Sequence, residues 1–380
     1  MKSIFVTQPA LPPLEDFIPY LERIWESRVL TNGGPLHQEL EAELCRYLGV
    51  PYISLFNNGT IALIAALRVS ELKGEVITTP YTFIATANSI VWNGLKPVFV
   101  DVDPATCNID PMQIEAAITP ETSAILAVHC YGRPCDVEAI EAIAARHGLQ
   151  VIYDAAHAFG VQCHCGQSVL NHGDLSVLSF HATKVFNTFE GGAIVSHTAE
   201  MKARIDRLKN FGYESLELIN TVGLNGKMSE VQAALGLLQL QYIDRYIERR
   251  AQLAAHYRRQ LGSLPELTML SKHSPQVSNH GYFPVFFATS GLRKEVCDEL
   301  AKHDVIARRY FWPLVTDFQA FAGAECHALD HAQRLADVVV CLPLYPDLEM
   351  TEVDRIVDSV RTAVLRHLST KLANEEGARS

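Results

Sequence analysis

The sequence predicts an α/β fold, with a mostly parallel central sheet flanked by helices and a smaller α+β domain at the C-terminal end. Three observations predict it. From Ala42 to about Val195, short unbroken apolar runs alternate with stretches of helical period. Strands buried on both faces read as such runs, whereas half-exposed strands alternate apolar and polar residues. A long helical pattern over 229–261 then separates this region from one of different rhythm, and 380 residues suffice for a large core and two domains. The expected division is 1–240 for the large domain and 241–380 for the small one, with the N-terminal segment a candidate to pack on the latter.

The elements follow in order. "YISLF" (52–56) is a short apolar strand; it turns through Gly59 into the helical "TIALIAALRVSEL". "EVITT" (75–79) leads to the helical "FIATANSIVWNG", and "KPVFVDV" (96–102) is the next strand. "SAILAVH" (123–129), the helical "CDVEAIEAIAARHG" and "LQVIYD" (149–154) repeat the alternation. Beyond the long helix come "GYFPVFF", the helical "LRKEVCDELAKHD" and a closing helix from near Thr351. The polar tail "STKLANEEGARS" is expected to fray.

Composition narrows the function. Hydrophobic residues make up 48% and charged residues 20%, as in ordinary globular proteins, and the net charge is −11. An acidic chain is a poor non-specific partner for nucleic acid or membrane surfaces, so neither is expected. No apolar run reaches the length of a membrane span, and the N-terminus lacks a signal-peptide pattern. Nine cysteines, an odd and scattered set, suit reduced thiols and a cytoplasmic setting. "CHC" (163–165) lies near His172, with Cys130 and Cys135 upstream. Its C-x-C spacing is not a usual zinc pair and no second close pair follows, so no metal is expected.

Three stretches carry chemistry together. "NNGTIAL" (57–63) is a strand end turning through glycine into a helix, where backbone N–H groups suit a phosphate. "VIYDAAHAFG" (151–160) places Asp154 past an apolar strand, with His157 three residues on. Taken alone, Asp154 reads as an N-cap and His157 as structural. "SFHATKVFNTFEGGAIVS" (179–196) sets Lys184 among core-like residues, where desolvation would lower its pKa and ready it for Schiff-base chemistry. Pyridoxal phosphate chemistry needs such a lysine, a carboxylate on the pyridine nitrogen and a phosphate cradle. Their order along the chain is cradle, Asp154, Lys184, all at expected strand ends.

With these motifs the chain resembles the DegT/DnrJ/EryC1/StrS sugar aminotransferases, which are fold type I pyridoxal-phosphate enzymes. "NNGTIAL", "PYTFIATANSI", "PVFVDVD", "DAAHAFG", "SFHATKVFNTFEGGAIV", "GLNGKMSEVQAAL" and "CLPLYPDL" carry the resemblance. It implies that Lys184 bonds the cofactor and later moves the proton, and that Asp154 pairs with the pyridine nitrogen. Phe83 would stack on the ring and His157 would lie beside it, while Gly59, Thr60 and Ser179 would hold the phosphate. It also implies a homodimer whose active site lies at the interface, Asn225 reaching the neighbour's phosphate. Gly226 and Lys227 depart from the Tyr-Arg of the commoner pattern.

The implied reaction moves an amino group from L-glutamate to a keto sugar on a nucleoside diphosphate, here the C4 ketone of dTDP-4-keto-6-deoxy-D-glucose. Thr31, Asn32 and Tyr310 are the candidate substrate contacts. Arg308 and Arg309 are offered to a pyrophosphate or, as the commoner reading, to salt bridges. A C3 ketone or a UDP-sugar acceptor stays open, as does a non-catalytic regulatory role. A dehydratase of this fold is disfavoured because Lys184 is kept.

Overall fold

The structure is a computed structural model and describes residues 3–215, 217–270 and 277–377. Strand β1 (Ile4–Phe5) and helices α1 (Leu14–Ser27) and α2 (Pro35–Leu48) open the chain. The α/β alternation follows as β2 (Tyr52–Phe56), α3 (Gly59–Val69), β3 (Glu75–Thr78), α4 (Ile84–Trp92), β4 (Lys96–Phe99) and α5 (Pro111–Ala116). It continues through β5 (Thr122–Val128), α6 (Val137–His147), β6 (Gln150–Asp154), β7 (Leu175–Ser179), β8 (Gly192–Ser196) and α7 (Ala199–Leu208). A hairpin of β9 (Tyr213–Ser215) and β10 (Leu218–Ile219) precedes the long α8 (Glu230–Leu261). The remainder is β11 (Leu267–Met269), β12 (Phe283–Phe287), α9 (Ser290–Lys302), β13 (Val305–Ile306), β14 (Glu325–Cys326), α10 (Asp330–Val338), β15 (Val339–Leu342) and α11 (Met350–Gly377).

Eight strands form the main sheet in the order β14-β4-β3-β5-β6-β7-β8-β2. All its pairings are parallel except those of β8, which runs antiparallel to both β7 and β2. Apart from the exposed two-residue edge strand β14, the parallel strands are largely buried, which is why they read as unbroken apolar runs. Local chemistry sets the helix starts. Asn58 accepts the Ile61 N–H at 2.8 Å to cap α3, and Asp136 accepts the Ala139 N–H at 3.1 Å to cap α6. The Ser229 N–H donates to Gln232 Oε1 at 2.9 Å at the head of α8.

Two large apolar clusters share α8. Ala233 to Ile243 pack with α1, α2 and one face of the main sheet, while Leu253 to Leu261 pack with β12, α9, β15 and α11. The expected boundary at 240 therefore falls inside one continuous helix. The N-terminal β1 pairs with β13, and β14 returns to the edge of the main sheet beside β4. The expected fraying is corrected over most of the tail: α11 runs to Gly377, and residues 378–380 lie outside the described residues. Among the described residues no helix is long and apolar enough to cross a membrane.

Candidate active site

A cavity of ≈ 300 Å³ opens where β6 and β7 end and where α3 and α4 begin. Gly59, Thr60, Phe83, Asp154, His157, Ser179, Lys184 and Tyr310 all line it, so the fold brings these expected residues together. Carboxyl ends of parallel strands are where an open α/β sheet presents ligand-binding groups.

Asp154 is the last residue of β6 and is buried. Its Oδ2 accepts the Thr86 hydroxyl at 2.7 Å, and its Oδ1 accepts the Ala156 N–H at 3.1 Å. The hydroxyls of Thr82, just before the N-cap of α4, and Thr86, in its first turn, are 2.8 Å from each other and extend this chain. Burial raises the Asp154 pKa, while the Thr86 hydroxyl, the Ala156 N–H and the Lys184 charge each pull it back down. The carboxylate thus has held oxygens and faces a cationic partner.

Lys184 sits on the loop between β7 and β8, half-buried and facing the cavity. This corrects the expectation of a lysine at the strand end itself, since β7 stops at Ser179; the flanking runs expected as core, Leu175 to Leu178 and Ala193 to Val195, are buried, as are Phe180 and Val185 to Thr188. Its N–H donates to the His181 carbonyl at 2.9 Å, closing the turn that aims the side chain. The Nζ lies 3.3 Å from Tyr282 Oη and 5.9 Å from the centre of that ring. Desolvation lowers the amine to about 8, opposed by the Asp154 charge.

The other end of the cavity is the N-terminus of α3, whose first N–H groups have no intrahelical partners. A Cβ on Gly59 would lie 2.9 Å from the Ser179 Cβ and 3.1 Å from its Oγ. Glycine keeps open a cradle between helix and strand that any side chain would fill. His157 is buried and neutral, held well below its ordinary pKa by desolvation; its Nδ1 accepts the Tyr131 N–H at 3.2 Å. Its ring is parallel to that of Phe311, with centres 5.9 Å apart. Phe83, the N-cap residue of α4, is 61% exposed and leans over the cavity mouth. An aromatic so placed packs on something other than the core.

Three expected residues do not reach this cavity. Asn225, Thr31 and Asn32 are exposed and absent from its lining. Instead their two loops are tied to each other: the Glu230 N–H donates to the Leu30 carbonyl at 3.0 Å. The Glu230 carboxylate accepts the Leu36 and His37 N–H groups at 2.8 and 3.0 Å. Arg309 lies 3.9 Å from Asp337 and stacks over Trp312 at 3.8 Å, and Arg308 is exposed. Neither arginine lines the cavity.

Tyr282, Phe311, Thr82, Glu190 and His181 also line it, unforeseen from sequence. Tyr282 precedes β12 and reads there as one more strand aromatic, so only tertiary structure reveals its hydroxyl beside Lys184. Thr86 gave no local signal either, because its partner Thr82 lies before the N-cap of α4 and only the folded turn brings the two hydroxyls together.

Comparison with known proteins agrees with this geometry. The chain is 56% identical over 364 residues to a dTDP-4-amino-4,6-dideoxy-D-glucose transaminase of Shigella dysenteriae, covering 95% of this chain and 99% of that one. It is 49% identical over 353 residues to a protein of the same name from Escherichia coli, covering 91% and 95%. Among solved structures, DesI in the presence of its TDP-sugar product superposes with a TM-score of 0.92 at 36% identity, over 99% of this chain and 96% of that chain. Residues 14–361 match one family along nearly the whole fold, and the chain belongs to the DegT/DnrJ/EryC1/StrS aminotransferase family.

Proposed function

We propose that the chain is a pyridoxal-phosphate-dependent nucleotide-sugar aminotransferase, acting as a cytoplasmic homodimer. It would transfer an amino group from L-glutamate to the C4 ketone of dTDP-4-keto-6-deoxy-D-glucose, giving dTDP-4-amino-4,6-dideoxy-D-glucose. The observation that carries this reading is one cavity faced by the Lys184 amine and the Asp154 carboxylate, with the α3 N-terminus at its other end. The two transaminases of that name, at 56% and 49% identity, support the sugar and the position.

The residues present fit pyridoxal phosphate. The cradle that a Gly59 Cβ would fill suits a phosphate, and the helix dipole favours its charge. Asp154, held by Thr86 and Ala156, would keep the pyridine nitrogen protonated. Phe83 and His157 would flank the ring. When bound, the cofactor supplies the electron sink that stabilises a carbanion on the amino group's carbon. Lys184 would hold the cofactor's aldehyde through Nζ and, when free, would carry the proton between the two carbons that flank the transferred nitrogen. An amine lowered to about 8 is suited to both tasks near neutral pH. Tyr282, at 3.3 Å, orients that amine. Asn225, Thr31 and Asn32, away from this chain's own cavity, are assigned to the partner's site.

The test is a panel of dTDP- and UDP-linked keto sugars with glutamate as donor, the product's regiochemistry read by NMR. The expected product carries nitrogen at C4 of the dTDP sugar. Nitrogen at C3, or turnover only of UDP sugars, would refute the substrate assignment.

A further inference from the structure

Among the described residues, one group of metal-ligating side chains stands together: Cys163, Cys165 and His172, on the segment between β6 and β7. Their two sulfurs and one ring nitrogen all lie within 4.8 Å of one another. The His172 Nε2 is 3.4 Å from the Cys163 sulfur and 3.7 Å from that of Cys165. Its Nδ1 is 3.3 Å from Oε1 of Glu141 on α6, and that oxygen also accepts the Gly173 N–H at 2.8 Å. The sulfurs are bonded to each other as a disulfide in this structure.

Glu141 decides what the ring offers. A carboxylate beside Nδ1 takes the proton there as a hydrogen bond, which in a neutral imidazole leaves a lone pair on Nε2. That lone pair faces two sulfurs. Reduced and deprotonated, the two thiolates and the ring nitrogen would point three donors at one cation. A carboxylate behind the distal nitrogen is also how metal-bound histidines are held. Two of the three edges agree with zinc: bonds of about 2.3 Å to sulfur and 2.0–2.1 Å to nitrogen give a nitrogen–sulfur edge of roughly 3.6 Å, which the observed 3.4 and 3.7 Å straddle. The sulfur–sulfur edge, bonded here, would open to roughly 3.8 Å on reduction. Cys163 is buried and His172 half-buried, while Cys165 is exposed beside a cleft of ≈ 430 Å³, which leaves a fourth position for water.

We propose that Cys163, Cys165 and His172, backed by Glu141, form a site for Zn²⁺ once the disulfide is reduced. A dithiol reductant supplies two electrons and two protons to break the S–S bond and is itself oxidised to its disulfide. The two thiols then release their protons as zinc binds both thiolates and the imidazole. None of the four residues lines the active-site cavity, so the site is separate from transamination. The motif looked incomplete as a sequence because its C-x-C spacing is unusual for zinc and its carboxylate, Glu141, comes from α6.

The test takes the full-length holoenzyme, reduces it with dithiothreitol, adds Zn²⁺, desalts it and counts zinc per chain by mass spectrometry. One zinc per chain is expected, lost in Cys163→Ser, Cys165→Ser and His172→Ala, with transaminase rate unchanged in each. Glu141→Gln should weaken zinc about 10–100-fold. Cobalt in place of zinc should give thiolate charge-transfer absorption in the wild type alone, which separates this site from adventitious surface zinc. If a cysteine variant fails to fold, His172→Ala alone decides whether the site exists. Reduced wild type that retains no zinc, zinc that survives His172→Ala, or a Cys163–Cys165 bond that persists through reduction would overturn the proposal.

Discussion

At Lys184 the ordinary value of 10.5 falls to about 8, and burial, the larger cause, outweighs the attraction of Asp154. Only the neutral amine bonds an aldehyde, so pyridoxal phosphate uptake by the apoprotein should rise with pH and level off above about 8. A rate still climbing at pH 10 would contradict the assignment. The same shift has a stability consequence. Between about 8 and 10.5 the unfolded chain holds one more proton than the folded one, so apoprotein stability should rise with pH there. Lys184→Met should flatten that slope, as read by denaturant unfolding at a series of pH values. Lys184→Ala should lower turnover by at least ~10²–10⁴-fold, with the fold retained. Thr86→Val removes a hydroxyl from the buried Asp154 carboxylate. Hydrogen bonds to charged groups are worth about 1.5–3 kcal/mol, so cofactor affinity should fall roughly 10–100-fold by titration. Lys184 and Asp154 were legible because each breaks the local pattern, a cation among apolar residues and a carboxylate after an unbroken strand. Tyr282 and Phe311 break no pattern and were not.

The elements that carry the site are a strand end, a turn and a helix start, and glycines set their closeness. A Cβ on Gly192, at the first residue of β8, would lie 2.7 Å from the carbonyl carbon and oxygen of Asn58 and from the Gly59 nitrogen. Those are backbone atoms of the phosphate turn and cannot swing aside. Gly192→Ala should therefore displace the turn, cost about 1–3 kcal/mol by thermal unfolding, and weaken the cofactor at least tenfold. Unchanged affinity would show that the turn does not hold the phosphate. The parallel strands and α8 were legible from their periodicity, the latter within a residue of its observed start. The reversed direction of β8 was not, since an apolar run has no polarity. α1 and α2 were also missed. Pro19 lies inside the first and Pro35 opens the second, and a proline reads locally as a break.

For the whole molecule we propose two units, 1–240 and 241–380, with α8 running through the junction. β1 and β14 cross it in opposite directions, and strands of two residues leave almost no sequence trace. Thr31, Asn32 and Asn225 complete the site of a second copy in this proposal. Co-expressing Lys184→Ala with Asn225→Ala should then restore part of the activity each lacks, because one site of a mixed dimer has both residues; no recovery would place Asn225 outside the partner's site. All of these expectations depend on the cofactor being bonded at Lys184. Borohydride reduction of the purified holoenzyme followed by peptide mass spectrometry tests that directly. A reduced pyridoxyl phosphate adduct is expected on the peptide bearing Lys184, and an adduct confined to another lysine, or none on a fully loaded protein, would contradict it.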